Sequence, residues 1–189
     1  LVAKLGEFRA VQAFESIDHI FYDKTVSKRG AVAESMVEGK GIEECYIAGG
    51  AWAIDGKLFD THGWYEENAT GGGDTHFLLA ALADIDNVCK NRVYYLNDEM
   101  VKYYKAWGKP FKKDLNGSVS FVEGVHVFCA PHGNTVNRGY QGRKQIIKLI
   151  DPVRHIRKNG DGCAEWSEQA PEKIKAMALE YFLQRREDG

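Results

Sequence analysis

Residues 71–83 read GGGDTHFLLAALA, three glycines and an aspartate followed by a run of good helix formers. This pattern predicts a helix that begins at the glycines, with Asp74 as its N-cap or in its first turn. One glycine would be enough for a cap, so the other two are unexplained by capping. Together they leave backbone amides free beside a carboxylate, which suits the close approach of a polar ligand. The stretch therefore allows both a capping role and a ligand-binding role for Asp74.

The sequence before this helix predicts mainly β-structure. Residues 11–22 are rich in β-branched and aromatic side chains and predict one or two strands, whereas the polar residues 23–30 predict a loop. Residues 45–54 predict a buried strand interrupted by a glycine pair. A short helical turn over 57–62 is expected to end at Gly63.

The sequence after this helix mixes both kinds of element. Side chains at helical spacing predict a helix over 97–107 that ends at Gly108-Lys109-Pro110. Residues 117–129 predict a strand, and two further helices are predicted over 140–150 and 171–186. Because strands and helices do not alternate regularly in this half, we assign the α/β class, tending to α+β.

Composition favours one domain that acts on small molecules or glycans. The chain has 189 residues, of which 44% are hydrophobic and 28% charged, with a formal net charge of -2. This balance provides no positive field for nucleic acid or an anionic membrane. No apolar run approaches the roughly 20 residues that span a bilayer, and the four cysteines form no C-x-x-C pair. We expect no nucleic-acid partner, no membrane span and a reducing, cytoplasmic location.

A second group of candidate residues lies between 126 and 143. His126 and His132 could be metal ligands, and Arg138 and Arg143 could pair with a diphosphate or a carboxylate. The alternatives are a strand-end histidine for His126 and a solvated basic helix face for the arginines. The spacing of the two histidines matches no local metal motif.

Two acidic or charged stretches are better explained without a ligand. Asp84-Ile85-Asp86 has the form of a nucleotide-binding D-x-D, but it follows the predicted helix, where a solvated helix end is expected. The closing Arg185-Arg186-Glu187-Asp188 is interpreted as a surface charge cluster.

Several short motifs follow one another along the chain: GGAWAI at 49–54, GWY at 63–65, GGGD at 71–74, PHG at 131–133 with NRGYQGR at 137–143, and YF at 181–182 with RRED at 185–188. Their order resembles the later half of a group of bacterial and viral GT-A-type glycosyltransferase-like proteins. It is similar, more distantly, to galactosyl- and polypeptide N-acetylgalactosaminyl-transferases. The resemblance begins near Val11 and continues to the end.

The resemblance implies a partial GT-A nucleotide-diphospho-sugar transferase fold, a mixed sheet flanked by helices. Residues 1–189 would form a single domain, the acceptor-side, catalytic half of the enzyme, with a C-terminal helical extension over about 140–189. The half that binds the nucleotide in those proteins has no counterpart in this sequence, so a missing N-terminal half is an expected partner.

The resemblance also implies a hexosyltransferase reaction with inversion. Asp74 would be the general base that takes the proton from an acceptor hydroxyl, and His132 would help to hold Mn²⁺ or Mg²⁺. The expected partners are a nucleotide-sugar donor and a glycan or other hydroxyl acceptor. The expected substrate-binding residues, with the tryptophans offering faces for sugar stacking, are Gly50, Trp52, Trp64, Gly72, Gly73, Arg138 and Arg143. For Trp52 the alternative is a buried position in the core.

Two other functions stay open. A non-catalytic carbohydrate-binding or interaction module on the same half-fold would need neither the base nor the donor. A metal hydrolase using Asp74, His126 and His132 is the third hypothesis, although these residues form no tight ligand cluster in the sequence.

Overall fold

The computed structural model describes residues 1–37, 46–91, 96–131, 137 and 139–185. Contacts between Cα atoms divide the chain into two units, which are described separately below. The first unit comprises Leu1–Gly63 and Pro110–His132, and the second comprises Trp64–Lys109 and Gly133–Gly189.

The first unit contains two small mixed sheets and short helices. Its strands are β1 (Ala10–Gln12), β2 (Ser16–Ile20), β3 (Val26–Ala31), β4 (Tyr46–Ile47), β5 (Trp52–Ile54), β6 (Val119–Phe121) and β7 (His126–Cys129). Its helices are α1 (Val2–Leu5), α2 (Val32–Val37) and α3 (Gly56–His62). One sheet has the order β5-β1-β6, with β1 antiparallel to β5 and parallel to β6. The other has the order β4-β3-β2-β7, in which only β2 and β3 are antiparallel.

The glycine pair predicted to interrupt a strand separates β4 from β5. Gly50 has a φ of +92°, and a Cβ atom there would lie 2.6 Å from the Phe14 ring. The carbonyl of Gly49 accepts a hydrogen bond of 3.2 Å from Nε2 of Gln12, a side chain that is fully buried. Gln12 Oε1 in turn accepts from the Ala33 amide. The positive φ and the close approach of the Phe14 ring therefore explain Gly50.

The loop predicted over 23–30 is wrong for most of its length. Residues 26–30 belong to β3, and only the segment around Asp23–Thr25 turns the chain. Asp23 Oδ1 accepts hydrogen bonds from the amide and the hydroxyl of Thr25, and Lys24 has a φ of +66°. The polar residues of β3 are largely exposed, so hydrogen bonding to β2 rather than side-chain burial places them in a strand.

The second unit is mostly helical. It contains α4 (Gly73–Leu82), α5 (Ile85–Lys90), the first part of α6 (Asp98–Leu115), α7 (Tyr140–Ile147), α8 (Pro152–His155) and α9 (Glu172–Gln184). A two-stranded antiparallel hairpin joins β8 (Ile156–Lys158) to β9 (Ala164–Trp166). The predicted C-terminal helical segment thus holds this hairpin as well as helices.

Helix α6 continues past the point where the sequence predicts its end. Pro110 lies inside the helix and removes one backbone hydrogen bond, at a cost of about 3 kcal/mol. Beyond it, Phe111 and Leu115 are completely buried in the first unit. Burial of two such side chains contributes roughly 1.5–3 kcal/mol each, which offsets the cost of the proline.

The aspartates of the D-x-D-like stretch have structural partners. Asp84 is the N-cap of α5, and its carboxylate accepts from the amides of Asp86 and Asn87. Asp86 forms ion pairs of 2.8 Å with Lys105 and 2.7 Å with Lys109. The stretch therefore begins a second helix instead of ending the first, and its charge is balanced by α6.

The architecture confirms the α/β class, with small mixed sheets and flanking helices. In the part of the chain that the structure describes, no helix is long and apolar enough to cross a membrane. Among the described residues, Cys89, Cys129 and Cys163 form no disulfide with one another, and Cys45 lies outside the described residues. The single domain and the cytoplasmic location stay predictions.

Candidate functional site

The backbone itself requires all three glycines at the start of α4. Gly71 and Gly72 have φ angles of +100° and +94°, a region that side chains with a Cβ atom rarely adopt. Gly73 has an ordinary φ, but a Cβ atom there would lie 2.6 Å from the carbonyl oxygen of Tyr65. The two glycines that capping leaves unexplained are thus accounted for by chain geometry.

Asp74 lies in the first turn of α4 with its side chain exposed. The N-cap is Gly72, so the prediction of Asp74 as a possible cap is wrong and its alternative, a first-turn position, is confirmed. The Asp74 carboxylate accepts a 2.8 Å hydrogen bond from the Thr75 amide. The described residues provide no hydrogen-bond partner for the amides of Gly73 and Asp74, as is usual for the first turn of a helix. A ligand at this position would therefore meet a carboxylate beside free N–H groups.

Arg143, on α7, lies next to this glycine run. Its Nη1 atom would be only 3.3 Å from a Cβ atom at Gly71, and its carbonyl accepts a 3.4 Å hydrogen bond from the Thr70 hydroxyl. The sequence-predicted residues Gly72, Gly73 and Arg143 are therefore brought close together, at the helix end that carries Asp74. The guanidinium adds a positive charge to the partial positive charge of the helix N-terminus.

A buried histidine directly behind this helix end was missed by the sequence analysis. The Nδ1 atom of His76 lies 2.7 Å from Asn68 Nδ2 and 3.2 Å from the Gly72 carbonyl oxygen. Burial lowers the pKa of His76 to about 4, although the Gly72 hydrogen bond and the Asp74 charge oppose this shift. The imidazole is neutral at physiological pH. The sequence offered little signal, because His76 follows the polar residues Asp74 and Thr75, just before the apolar run of α4 begins.

The loop before the glycines is fixed by side chains from α6. Glu67 is buried, and its carboxylate accepts from the Tyr103 hydroxyl at 2.6 Å and from the Glu66 amide at 3.0 Å. Tyr65 packs edge-on against Tyr104, with ring centroids 5.3 Å apart. Burial also raises the pKa of the Tyr65 phenol. These contacts give the candidate site a rigid support.

The tryptophans proposed to stack on sugars have protein neighbours. Trp64 stacks on Phe77, with ring centroids 4.1 Å apart and an interplanar angle of 13°, so one face of its indole is occupied. Trp52 is in β5 and donates from Nε1 to the Ala48 carbonyl at 2.9 Å. Trp52 and Gly50 belong to the first unit, whereas Trp64 shares the second unit with Asp74.

The predicted metal site is untested by this structure. His132 and Arg138 lie outside the described residues. Within 1–37, 46–91, 96–131, 137 and 139–185, no three His, Cys, Asp or Glu side chains are grouped so that they could hold a metal ion. His126 begins β7, with its Nδ1 2.6 Å from the Ser16 hydroxyl, which fits the strand-end alternative.

Comparison with known proteins finds no family model that matches the chain, no similar curated protein and no similar solved structure. The assignment of a function therefore depends on the residues of the site.

Proposed function

We propose that the chain contributes the acceptor-side catalytic site of an inverting glycosyltransferase of GT-A type, with Asp74 as general base. One observation supports this most directly: the exposed Asp74 carboxylate lies in the first turn of α4, whose free amides and the neighbouring Arg143 can hold polar oxygens. A sugar hydroxyl placed there would have a base and hydrogen-bond donors within the same small region.

The reaction transfers a sugar from a nucleotide donor to this hydroxyl. Asp74 takes the hydroxyl proton as the oxygen bonds to the anomeric carbon, and the bond from that carbon to the diphosphate breaks on the opposite face. A sugar hydroxyl is a weak nucleophile, and a positioned general base accelerates such a step by roughly 10²–10⁴-fold. The glycines permit the left-handed backbone that leads into α4 and places Asp74 in its first turn.

His132 is the one residue in the proposal that would bind a divalent cation. Mn²⁺ or Mg²⁺ would neutralise charge on a leaving diphosphate. The described residues contain no three-ligand group to receive it. The roles of Asp74 and Arg143 are therefore argued without the ion.

Transfer of radiolabelled hexose from UDP- and GDP-sugars to a panel of glycoside acceptors, with Mn²⁺ present, tests this proposal. Asp74→Asn keeps the shape of the side chain and should lower the transfer rate roughly 10²–10⁴-fold. Asp161→Asn removes an exposed carboxylate from the β8–β9 turn and should leave the rate unchanged. Full activity in Asp74→Asn would contradict the role of Asp74. Failure of the wild-type chain both to transfer sugar and to bind UDP or GDP with Mn²⁺ in calorimetry would contradict the transferase function.

The second candidate is a non-catalytic carbohydrate-binding module. It is favoured by the finding that backbone geometry alone accounts for Gly71, Gly72 and Gly73. In this case the chain should bind saccharides without transferring sugar. Neither the wild type nor Asp74→Asn should then show transfer activity.

A further inference from the structure

A cavity of about 510 Å³ lies between α7 and α9 in the second unit. Its size falls within the roughly 300–1,000 Å³ that is typical of small-molecule sites. Two glycines of the α7 region, Gly139 and Gly142, form part of its wall. A Cβ atom at Gly139 or Gly142 would lie 3.5 Å or 3.8 Å from the Tyr181 ring. Helices α7 and α9 are therefore close together at these glycines, beside the cavity.

The lining of this cavity combines carboxamides with a few apolar side chains. Gln145 of α7 and Gln184 of α9 face the space together with Glu180, whose carboxylate accepts a 2.7 Å hydrogen bond from Gln184. Ile146 and Met177 supply apolar surface. Carboxamides and carboxylates offer both donors and acceptors, as hydroxyl groups require, and apolar side chains fit the C–H faces of a sugar ring.

The described charges and the aromatic ring of the cavity disfavour phosphates and nucleobases. Among the described lining residues Arg185 is the one cation, and Glu180 lines the cavity with it, which disfavours a phosphate. The Tyr181 ring is only 6% exposed and has the Arg185 guanidinium 5.5 Å from its centroid. It is the one aromatic ring among the lining residues that the structure describes, and it offers no open face on which a nucleobase could stack.

From these features we infer that the cavity between α7 and α9 binds a short neutral oligosaccharide. This inference goes beyond the proposed transfer reaction and does not depend on it, because none of the lining residues is assigned a part in proton transfer. The site would hold a stretch of glycan through Gln145, Glu180 and Gln184.

Binding is measured first on a printed array of neutral di- to tetrasaccharides of glucose, galactose, mannose and N-acetylhexosamines, with uronic-acid oligosaccharides alongside. The strongest neutral ligand is then titrated by calorimetry.

Gly142→Leu should fill the cavity, since the backbone at Gly142 is helical and a Cβ atom has only an ordinary contact there. We expect at least a tenfold loss of affinity. Gly56→Leu, at a helix position with open space around it, is the matched control and should bind as the wild type does.

Gln184→Ala supplies a second test that leaves the backbone and the core unchanged, and it should weaken binding several-fold. Circular dichroism checks that each variant is folded. The inference is overturned if no neutral oligosaccharide binds, if uronic-acid ligands alone bind, or if both Gly142→Leu and Gln184→Ala retain wild-type affinity. Because the readout is binding, loss of transfer activity in the Asp74 experiment leaves this result unaffected.

Discussion

Lowering the pH from 7.5 to 5 should destabilise the second unit through His76. Burial lowers the pKa of this imidazole from its ordinary 6.5 to about 4 in the folded chain. Between these two values the unfolded chain binds one proton more than the folded chain, so the free energy of unfolding rises with pH. The full difference corresponds to about 3 kcal/mol, of which about 2 kcal/mol is lost by pH 5. At pH 5 most carboxylates are still ionised, and a variant that lacks the His76 imidazole separates its contribution from that of the other five histidines.

Urea unfolding at pH 7.5 and pH 5, followed by tryptophan fluorescence, measures this difference. His76→Gln removes the titrating group, so its free energy of unfolding should change by about 2 kcal/mol less than that of the wild type over the same pH range. Tyr104→Phe is the control, because its hydroxyl donates to the His76 carbonyl at 2.8 Å and its loss destabilises the same region without removing the imidazole. This variant should be less stable at both pH values but keep the wild-type pH dependence.

An equal loss of stability in His76→Gln and the wild type would refute the reasoning, since it would mean that other groups bind the protons. A wild-type free energy that does not change between the two pH values would refute it equally, because it would show that His76 is protonated in the folded chain at little cost.

Two further pairs of substitutions test the packing of the second unit. Gly73→Ala should destabilise by about 1–3 kcal/mol, because the new Cβ atom would meet the Tyr65 carbonyl oxygen, whereas Gly142→Ala should stabilise α7 by about 0.5–1 kcal/mol. Thermal unfolding distinguishes them, and a stabilised Gly73→Ala would contradict the close approach. Tyr65→Phe should be neutral or stabilising, since the buried Tyr65 hydroxyl has no partner among the described residues, while Tyr104→Phe should cost about 1 kcal/mol. If Tyr65→Phe and Tyr104→Phe lost equal free energy of unfolding in urea, this contrast would be wrong.

The candidate site was partly predictable. Asp74 and the glycines were recognised because a capped helix start has a local signature in sequence. Arg143 was selected as a basic residue on a helix, but its position beside Gly71 depends on how α7 packs. His76 was missed because its burial and its lowered pKa depend on packing against residues outside α4, such as Asn68 and Tyr104.

The sequence by itself determined the elements whose ends are set by neighbouring residues. Helix α3 begins at the Asp55 cap and ends at Gly63, and α9 follows Pro171, because capping and backbone preference act within one turn of the chain. Only the tertiary structure decided that α6 continues through Pro110, since burial of residues beyond the proline outweighs a local helix-ending signal. The same holds for β3, whose polar residues become a strand through pairing with β2, and for Gly73, whose missing side chain makes room for a distant carbonyl.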